Sequence, residues 1–228
     1  MSKNIKMEPD IKKLKMDLAV KICGMKEAVN IQEVAALQPD YLGFIFAPNS
    51  PRCFEGALLK LPETVKKVGV FVQDSVENIV NIVKQHKLDL VQLHGNETVR
   101  FCQELKSELG DKIQIIKVFS VGIDFDFEVL KAFEDHCDFF LLDTKGRFPG
   151  GNGTQFDWQI LEKYPSKKPF FLSGGIGVDD VAEIMELQKK NLPLHAIDCN
   201  SKLEISAGIK NKEQCEKLIK SFAVKKHQ

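Results

Sequence analysis

The chain has 228 residues, with 32 Lys and Arg against 32 Asp and Glu and a formal net charge of zero. No long-range field draws nucleic acid or an anionic membrane to such a chain, and no apolar stretch approaches the roughly 20 residues of a membrane span. The length and the ordinary balance of apolar and charged residues suit one large globular domain, of which an α/β barrel is an example.

The first fifteen residues, MSKNIKMEPDIKKLK, are basic and polar. They lack the apolar core of a secretory signal and read as a flexible extension ahead of a domain over residues 16–228. The six cysteines are Cys23, Cys53, Cys102, Cys137, Cys199 and Cys215, and none forms a C-x-x-C pair. They read as reduced thiols of a cytoplasmic protein, with no zinc site and no disulfide framework.

From residue 16 onward, short runs rich in apolar, β-branched and aromatic residues alternate with amphipathic stretches. In chain order the runs are LAVKIC (18–23), YLGFIF (41–46), KVGVFV (67–72), LDLVQLH (88–94), IQIIKVF (113–119), DFFLLDT (138–144), PFFLSGG (169–175) and HAIDC (195–199). Most are too continuous in apolar residues for a sheet with one wet face, so they read as parallel strands covered on both sides. The stretches between them read as helices. In the third, Val76, Ile79, Val80 and Val83 share one face, with Asp74 or Ser75 placed to cap it. In the last, Cys215, Leu218, Ile219 and Phe222 do the same. The fifth and sixth stretches show the pattern less clearly. Pro62, Pro165 and Pro193 fall in the return connections, where helices should stop.

Eight strand-helix units in about 210 residues are what a closed (β/α)8 barrel needs. An open doubly wound sheet is the structural rival, but no G-x-G-x-x-G follows the first run. A barrel carries its active site where the strand C-termini meet the following loops, so the residues just after each run are the ones to inspect.

Those residues are rich in chemistry. Cys23 and Gly24 follow the first run, Ser50 and Arg52 the second, and Gln92, His94 and Gly95 close the fourth. Asp143 ends the apolar FFLLD, where apolar neighbours can raise a carboxyl pKa and make it a proton donor. A turn or capping aspartate is the bland alternative, and it weighs more heavily for Asp198 at the end of the eighth run. His94 is either a donor at the mouth or a packed core histidine. Gly174 and Gly175 allow close approach of backbone to an anion, and residues 199–202 can open a short extra helix. Barrels often bind phosphate with this pair of loops. The loop 144–156, which includes Gly151, is long and glycine-rich and reads as a lid at the rim or as surface slack.

Taken together, KICGM (21–25), GFIFAPNSPR (43–52), VQLHGNE (91–97), LLDTKGRFPGGNGTQFDW (141–158), FFLSGGI (170–176) and IDCNSKLEISAGIKN (197–211) resemble phosphoribosylanthranilate isomerase of tryptophan biosynthesis. The resemblance keeps the family order from about residue 16 to the C-terminus. It implies a (β/α)8 barrel and an Amadori rearrangement of a small phosphoribosyl substrate, with no metal or organic cofactor. It also implies a monomer or homodimer. By resemblance Cys23 is the general base, Asp143 the general acid, and Arg52 the holder of the anthranilate carboxylate. Gly174, Gly175, Asn200 and Ser201 are implied to hold the phosphate, with His94, Gln92 and Gly151 as contributors at the mouth or lid.

The chemistry needs such groups. Ring opening requires a proton on the ribose ring oxygen, and the resulting Schiff base requires removal of its C2 proton. A thiolate can remove it only if something brings its pKa down from about 8.5. Two departures stand out. The turn after the eighth run is Asn200-Ser201-Lys202 where the family has Ser-Ser-Gly or Ser-Gly-Gly, and the lid reads GGNGTQFDW where GGTGKTFDW is usual. Lys145 and Arg147 are the basic residues nearest that altered segment. Another sugar-phosphate isomerase on the same barrel, or a non-catalytic phosphate-ligand sensor, are the competing functions.

Overall fold

The computed structural model describes residues 18–58, 60–144 and 158–222. Eight parallel strands close into a barrel in sequence order: β1 (Ala19–Ile22), β2 (Tyr41–Ile45), β3 (Lys66–Phe71), β4 (Leu90–Leu93), β5 (Gln114–Val121), β6 (Phe139–Thr144), β7 (Phe170–Ser173) and β8 (Leu194–Cys199). β1 pairs with β8 through Ala19 with Ala196 and Lys21 with Asp198, which shuts the ring. Every apolar run of the sequence is one of these strands, with boundaries shifted by one or two residues.

The helices are less regular than the strands. α1 (Ala28–Ala35), α2 (Val76–His86), α3 (Val99–Leu109), α4 (Val181–Gln188) and α5 (Lys212–Phe222) pack around the barrel. Ser75 caps α2, its hydroxyl accepting from the Asn78 amide at 3.2 Å. The fifth and sixth connections form 3-10 turns over Phe127–Phe133 and Trp158–Lys163. The second connection corrects the sequence expectation, because no helix forms over its described residues. Pro48, Pro51, Gly56 and Pro62 divide it into pieces too short to propagate a helix. It packs irregularly, burying Phe54, Leu61 and Val65 instead.

Alternation along the strands separates two apolar layers. Phe140 and Leu142 of β6 join the large cluster between barrel and helices, whereas Phe139 and Leu141 join a second, interior cluster. That interior cluster also holds Tyr41, Val68, Leu90, Ile116, Val118, Phe171 and Ala196. Side chains fill the barrel and leave no pore. After β8, a 3-10 turn over Ser201–Leu203 leads into the antiparallel pair β9 (Glu204–Ser206) and β10 (Ile209–Lys210).

Candidate active site

Interior positions near the C-terminal ends of the strands are polar, in contrast to the apolar positions below them. Lys21 sits two residues before Cys23 on β1, so both side chains leave the same face of the strand. It is fully buried. Its Nζ donates to Asp198 Oδ1 of neighbouring β8 at 2.8 Å and to Gln92 Oε1 of β4 at 2.8 Å. β4 lies across the ring from β8, so the ammonium spans the middle of the barrel. Gln92 Nε2 lies 3.0 Å from His94 Nδ1, and His94 Nε2 lies 3.9 Å from Asp143 Oδ2. A hydrogen-bonded chain thus crosses the mouth from Asp198 through Lys21 and Gln92 to His94, whose ring stands beside the Asp143 carboxylate.

Cys23 stands above that chain. Its amide donates to the Cys199 carbonyl at 2.8 Å, and its side chain is almost wholly covered. The sulfur rests on Gly43 of β2. A Cβ on residue 43 would stand 2.6 Å from Sγ and 3.1 Å from Cys23 Cα, so only glycine leaves room for the thiol. Burial pushes the thiol pKa up, the Lys21 ammonium pulls it down, and Asp198 adds to the rise; burial wins. Burial works against the Lys21 charge, but the Asp198 carboxylate beside it outweighs that and raises its pKa. The resting thiol is therefore neutral, and the sequence requirement for a lowered pKa is not met by the protein alone. Lys21, and more weakly Lys210, work in that direction.

Asp143, near the end of β6, is at the rim with its side chain 28% exposed. His94 is at the rim as well, which resolves its reading in favour of the mouth. Burial and the Lys21 and Lys117 charges lower its pKa, against the pull of Asp143 and Asp198, so the ring is neutral near pH 7. Outside the barrel wall, Lys117 and Glu97 form a buried pair at 3.0 Å, and both bind the loop beside His94. Lys117 donates to the Gly95 carbonyl at 2.7 Å and Glu97 accepts from the Gly95 amide at 3.0 Å. The Glu of VQLHGNE thus fixes the backbone that presents the histidine. Asp198 corrects the sequence reading: it is an interior partner of Lys21, not a turn or cap residue.

Arg52 forms a side-on pair with Glu204, Nε to Oε1 at 2.8 Å and Nη2 to Oε2 at 2.7 Å. Burial raises the Glu204 pKa, but hydrogen bonds from Arg52 and Lys210 outweigh it and bring it down to about 2. Lys210 also donates to Asn200 Oδ1 at 2.7 Å, so the Asn200 side chain is engaged within the protein.

Gly174 and Gly175 follow β7 with φ of 122° and 73°. At Gly174 a Cβ would lie 1.9 Å from the Thr144 carbonyl oxygen, which makes glycine obligatory there. Gly175 is open to solvent. The extra turn expected after the eighth strand exists, at Ser201–Leu203. Lys202 takes it without a left-handed backbone, and its Cβ would come within 3.1 Å of a Cβ on Gly177. The loops after β7 and β8 therefore touch. Gly151, Lys145, Arg147 and the rest of the lid between Thr144 and Trp158, like residues 1–15, lie outside the described residues. Among the described residues no three His, Cys, Asp or Glu side chains converge as a metal site would.

Sequence reasoning passed over Lys21, Glu204 and Lys210. Lys21 had a readable signal, since it shares the parity of Cys23 in a strand covered on both faces. Glu204 and Lys210 had none, because their partners come from other loops.

The family model for N-(5'phosphoribosyl)anthranilate (PRA) isomerase matches residues 20–221. The chain is 37% identical over 211 residues to the N-(5'-phosphoribosyl)anthranilate isomerase of Parabacteroides distasonis, covering 90% of this chain and 93% of that one. It superposes on the crystal structure of phosphoribosyl anthranilate isomerase from Thermotoga maritima with a TM-score of 0.76 at 28% identity, covering 90% and 98% of the two chains. A crystal structure of such an isomerase in complex with reduced 1-(o-carboxyphenylamino)-1-deoxyribulose 5-phosphate matches with a TM-score of 0.73 at 26% identity and the same coverage. With the family model matched over nearly the whole barrel and relatives covered over most of their length, the chain belongs to the N-(5'-phosphoribosyl)anthranilate isomerase family.

Proposed function

We infer that this chain is an isomerase of tryptophan biosynthesis that converts N-(5'-phosphoribosyl)anthranilate to 1-(2-carboxyphenylamino)-1-deoxyribulose 5-phosphate. The observation that carries the reading is a thiol and a carboxyl at two strand ends of one barrel mouth, with the hydrogen-bonded Lys21, Gln92 and His94 lying between them.

In this reading Asp143 gives its proton to the ribose ring oxygen as the C1–O bond breaks, leaving a protonated Schiff base between C1 and the aryl nitrogen. Cys23 gives its thiol proton to water. The thiolate takes the C2 proton as the C2–H electron pair becomes the C1=C2 bond and the C1=N pair returns to nitrogen, leaving an enolamine. The cationic Schiff base adds its field to that of Lys21, which favours the thiolate at the step that needs it. The enolamine gains a proton at C1 and loses one from the C2 hydroxyl, giving the ketone. Proton exchange with water returns thiol and carboxyl to their starting forms. Arg52 holds the ring carboxylate. The turns at Gly174–Gly175 and Asn200–Ser201 hold the phosphate with backbone N–H groups. Binding at both ends keeps C1 and C2 between acid and base.

A paired-carboxylate sugar-phosphate isomerase is the competing enzyme. It needs a second carboxylate free for substrate, and the Asp198 carboxylate is taken up by the Lys21 ammonium at 2.8 Å, whereas a thiol stands at the end of β1. A sensor that kept the barrel has no use for a covered thiol held against Gly43. The reading includes a cytoplasmic location and a monomer or homodimer. Among the described residues no helix is long and apolar enough to cross a membrane. The test follows loss of substrate fluorescence with purified protein. Turnover is expected, and its absence at micromolar enzyme overturns the reading. Rescue of tryptophan auxotrophs but not histidine auxotrophs separates it from the paired-carboxylate enzyme.

A further inference from the structure

The arginine expected to hold the substrate carboxylate already holds a carboxylate of its own. Glu204 takes Arg52 by the Nε–Nη2 edge, at 2.8 and 2.7 Å. A guanidinium has five N–H donors. Side-on pairing uses one on Nε and one on Nη2, so the Nη1–Nη2 edge retains the geometry for a second, bidentate carboxylate. Glu204 does not rest on Arg52 alone. Its Oε1 also accepts from Lys210 Nζ at 2.8 Å and from the Gly208 amide at 3.0 Å.

Lys210 is fixed in turn. It is 1% exposed, it donates to the Asn200 carbonyl at 3.3 Å and the Asn200 Oδ1 at 2.7 Å, and its backbone is clasped by the Asn30 side chain. This frame reaches the base. A Cβ on Gly24, the residue after Cys23, would stand 3.0 Å from Arg52 Cδ and 2.7 Å from Asn200 Oδ1. The Arg52 stem thus packs against the residue that follows the thiol.

We propose that Glu204 is a positioning residue that makes the site specific for a substrate with a ring carboxylate, by fixing Arg52 side-on and aiming its remaining edge at that group. This rests on the isomerase reading above. It predicts an effect opposite in sign to simple charge attraction. Removing the Glu204 charge makes the mouth more positive, which by attraction alone would tighten an anionic substrate. Loss of aim weakens it.

The experiment compares the parent, Glu204→Gln, Arg52→Ala and the double variant on two substrates. One is N-(5'-phosphoribosyl)anthranilate, and the other is the glycosylamine formed from ribose 5-phosphate and aniline, which lacks the carboxylate. For Glu204→Gln, KM for the anthranilate substrate should rise about tenfold with a smaller change in kcat, the scale of one displaced charge-assisted hydrogen bond. The preference in kcat/KM for anthranilate over aniline should shrink by a similar factor. The double variant should match Arg52→Ala within about twofold, because Glu204 acts through Arg52. Glu204→Asp keeps a charge for Lys210 but shortens the reach to Arg52, and it should also lose preference, which guards against a variant that merely unfolds.

Equilibrium titration with the carboxyphenylamino product and with its phenylamino counterpart gives the same ratio without turnover. An unchanged or lowered KM in Glu204→Gln overturns the proposal, as does an additive double variant. A parent that prefers the carboxylate ligand in titration but turns over neither substrate overturns the isomerase reading and leaves the role of Glu204 to the titration.

Discussion

The same eight strands build a floor and a mouth inside the barrel, and the two ends solve different problems. At the floor, Phe171 packs edge-on against Tyr41 and Phe139, with ring centroids 5.2 and 5.4 Å apart, and His195 closes the layer beside them. A polar contact in this layer, Tyr41 OH to His195 Nε2 at 2.8 Å, is short and local. At the mouth the inward positions include Lys21, Gln92 and Asp198, joined in a chain that crosses the ring to His94, with Asp143 beside it. Floor residues gain from leaving water. The buried mouth residues Lys21, Gln92 and Asp198 lose hydration and recover it through one another. The floor therefore carries stability, and the mouth carries charge to where a reaction can use it.

Substitutions can break that division, and the largest effect belongs to the mouth. Cys23→Ala and Asp143→Asn should each lower kcat by about 10²–10⁴-fold, the scale of a general acid or base. Circular dichroism should show the fold intact. Cys102→Ala and Cys215→Ala remove equally buried thiols on helix faces and should keep turnover.

Lys21→Met tests whether a mouth residue can be made to behave like a floor residue. Alone it leaves Asp198 buried and unpaired, so urea unfolding should show a loss of about 3–5 kcal/mol. Adding Asp198→Asn should recover much of that stability and none of the activity. Recovery of both would mean the pair is only structural.

Phe171→Ala is the reverse probe. It should cost about 3–5 kcal/mol in unfolding experiments through the cavity it leaves, with kcat little changed in the folded fraction. Tyr41→Phe should cost about 1 kcal/mol and leave kinetics unaltered.

The smallest effect is on pH dependence. Burial lowers the pKa of His94 at the mouth and of His195 at the floor, with Lys66 adding to the shift at His195. The unfolded chain therefore takes up protons first as pH falls below about 6.5, and stability should fall with it. Urea midpoints at neutral and mildly acid pH check the sign, and a rise toward acid would refute it.

Much of this was legible in the sequence because it is local. Continuous apolar runs marked all eight strands, and strand ends marked Cys23, Asp143 and the turn at Gly174. Where local rules compete, the reading failed: Pro48, Pro51, Gly56 and Pro62 overrode an expected helix. Asp198 was misread because a carboxylate beside a turn looks the same whether it caps a helix or faces inward. Parity along β1 and β8 distinguishes the cases, and it would have exposed Lys21 as well. Glu204 and Lys210 were beyond reach. Their meaning lies in Arg52 and Asn30, at sequence separations of 152 and 180 residues.

Ring closure has a consequence for when this protein becomes an enzyme. The Cys23 amide is held by the Cys199 carbonyl, and β1 finds its second neighbour only in β8. During synthesis the first strand must therefore wait for the last before its thiol is set. Contacts this distant in sequence form late and slowly. Catalytic activity would then appear only after the ring is complete, and its rate of appearance during refolding would time the closing step.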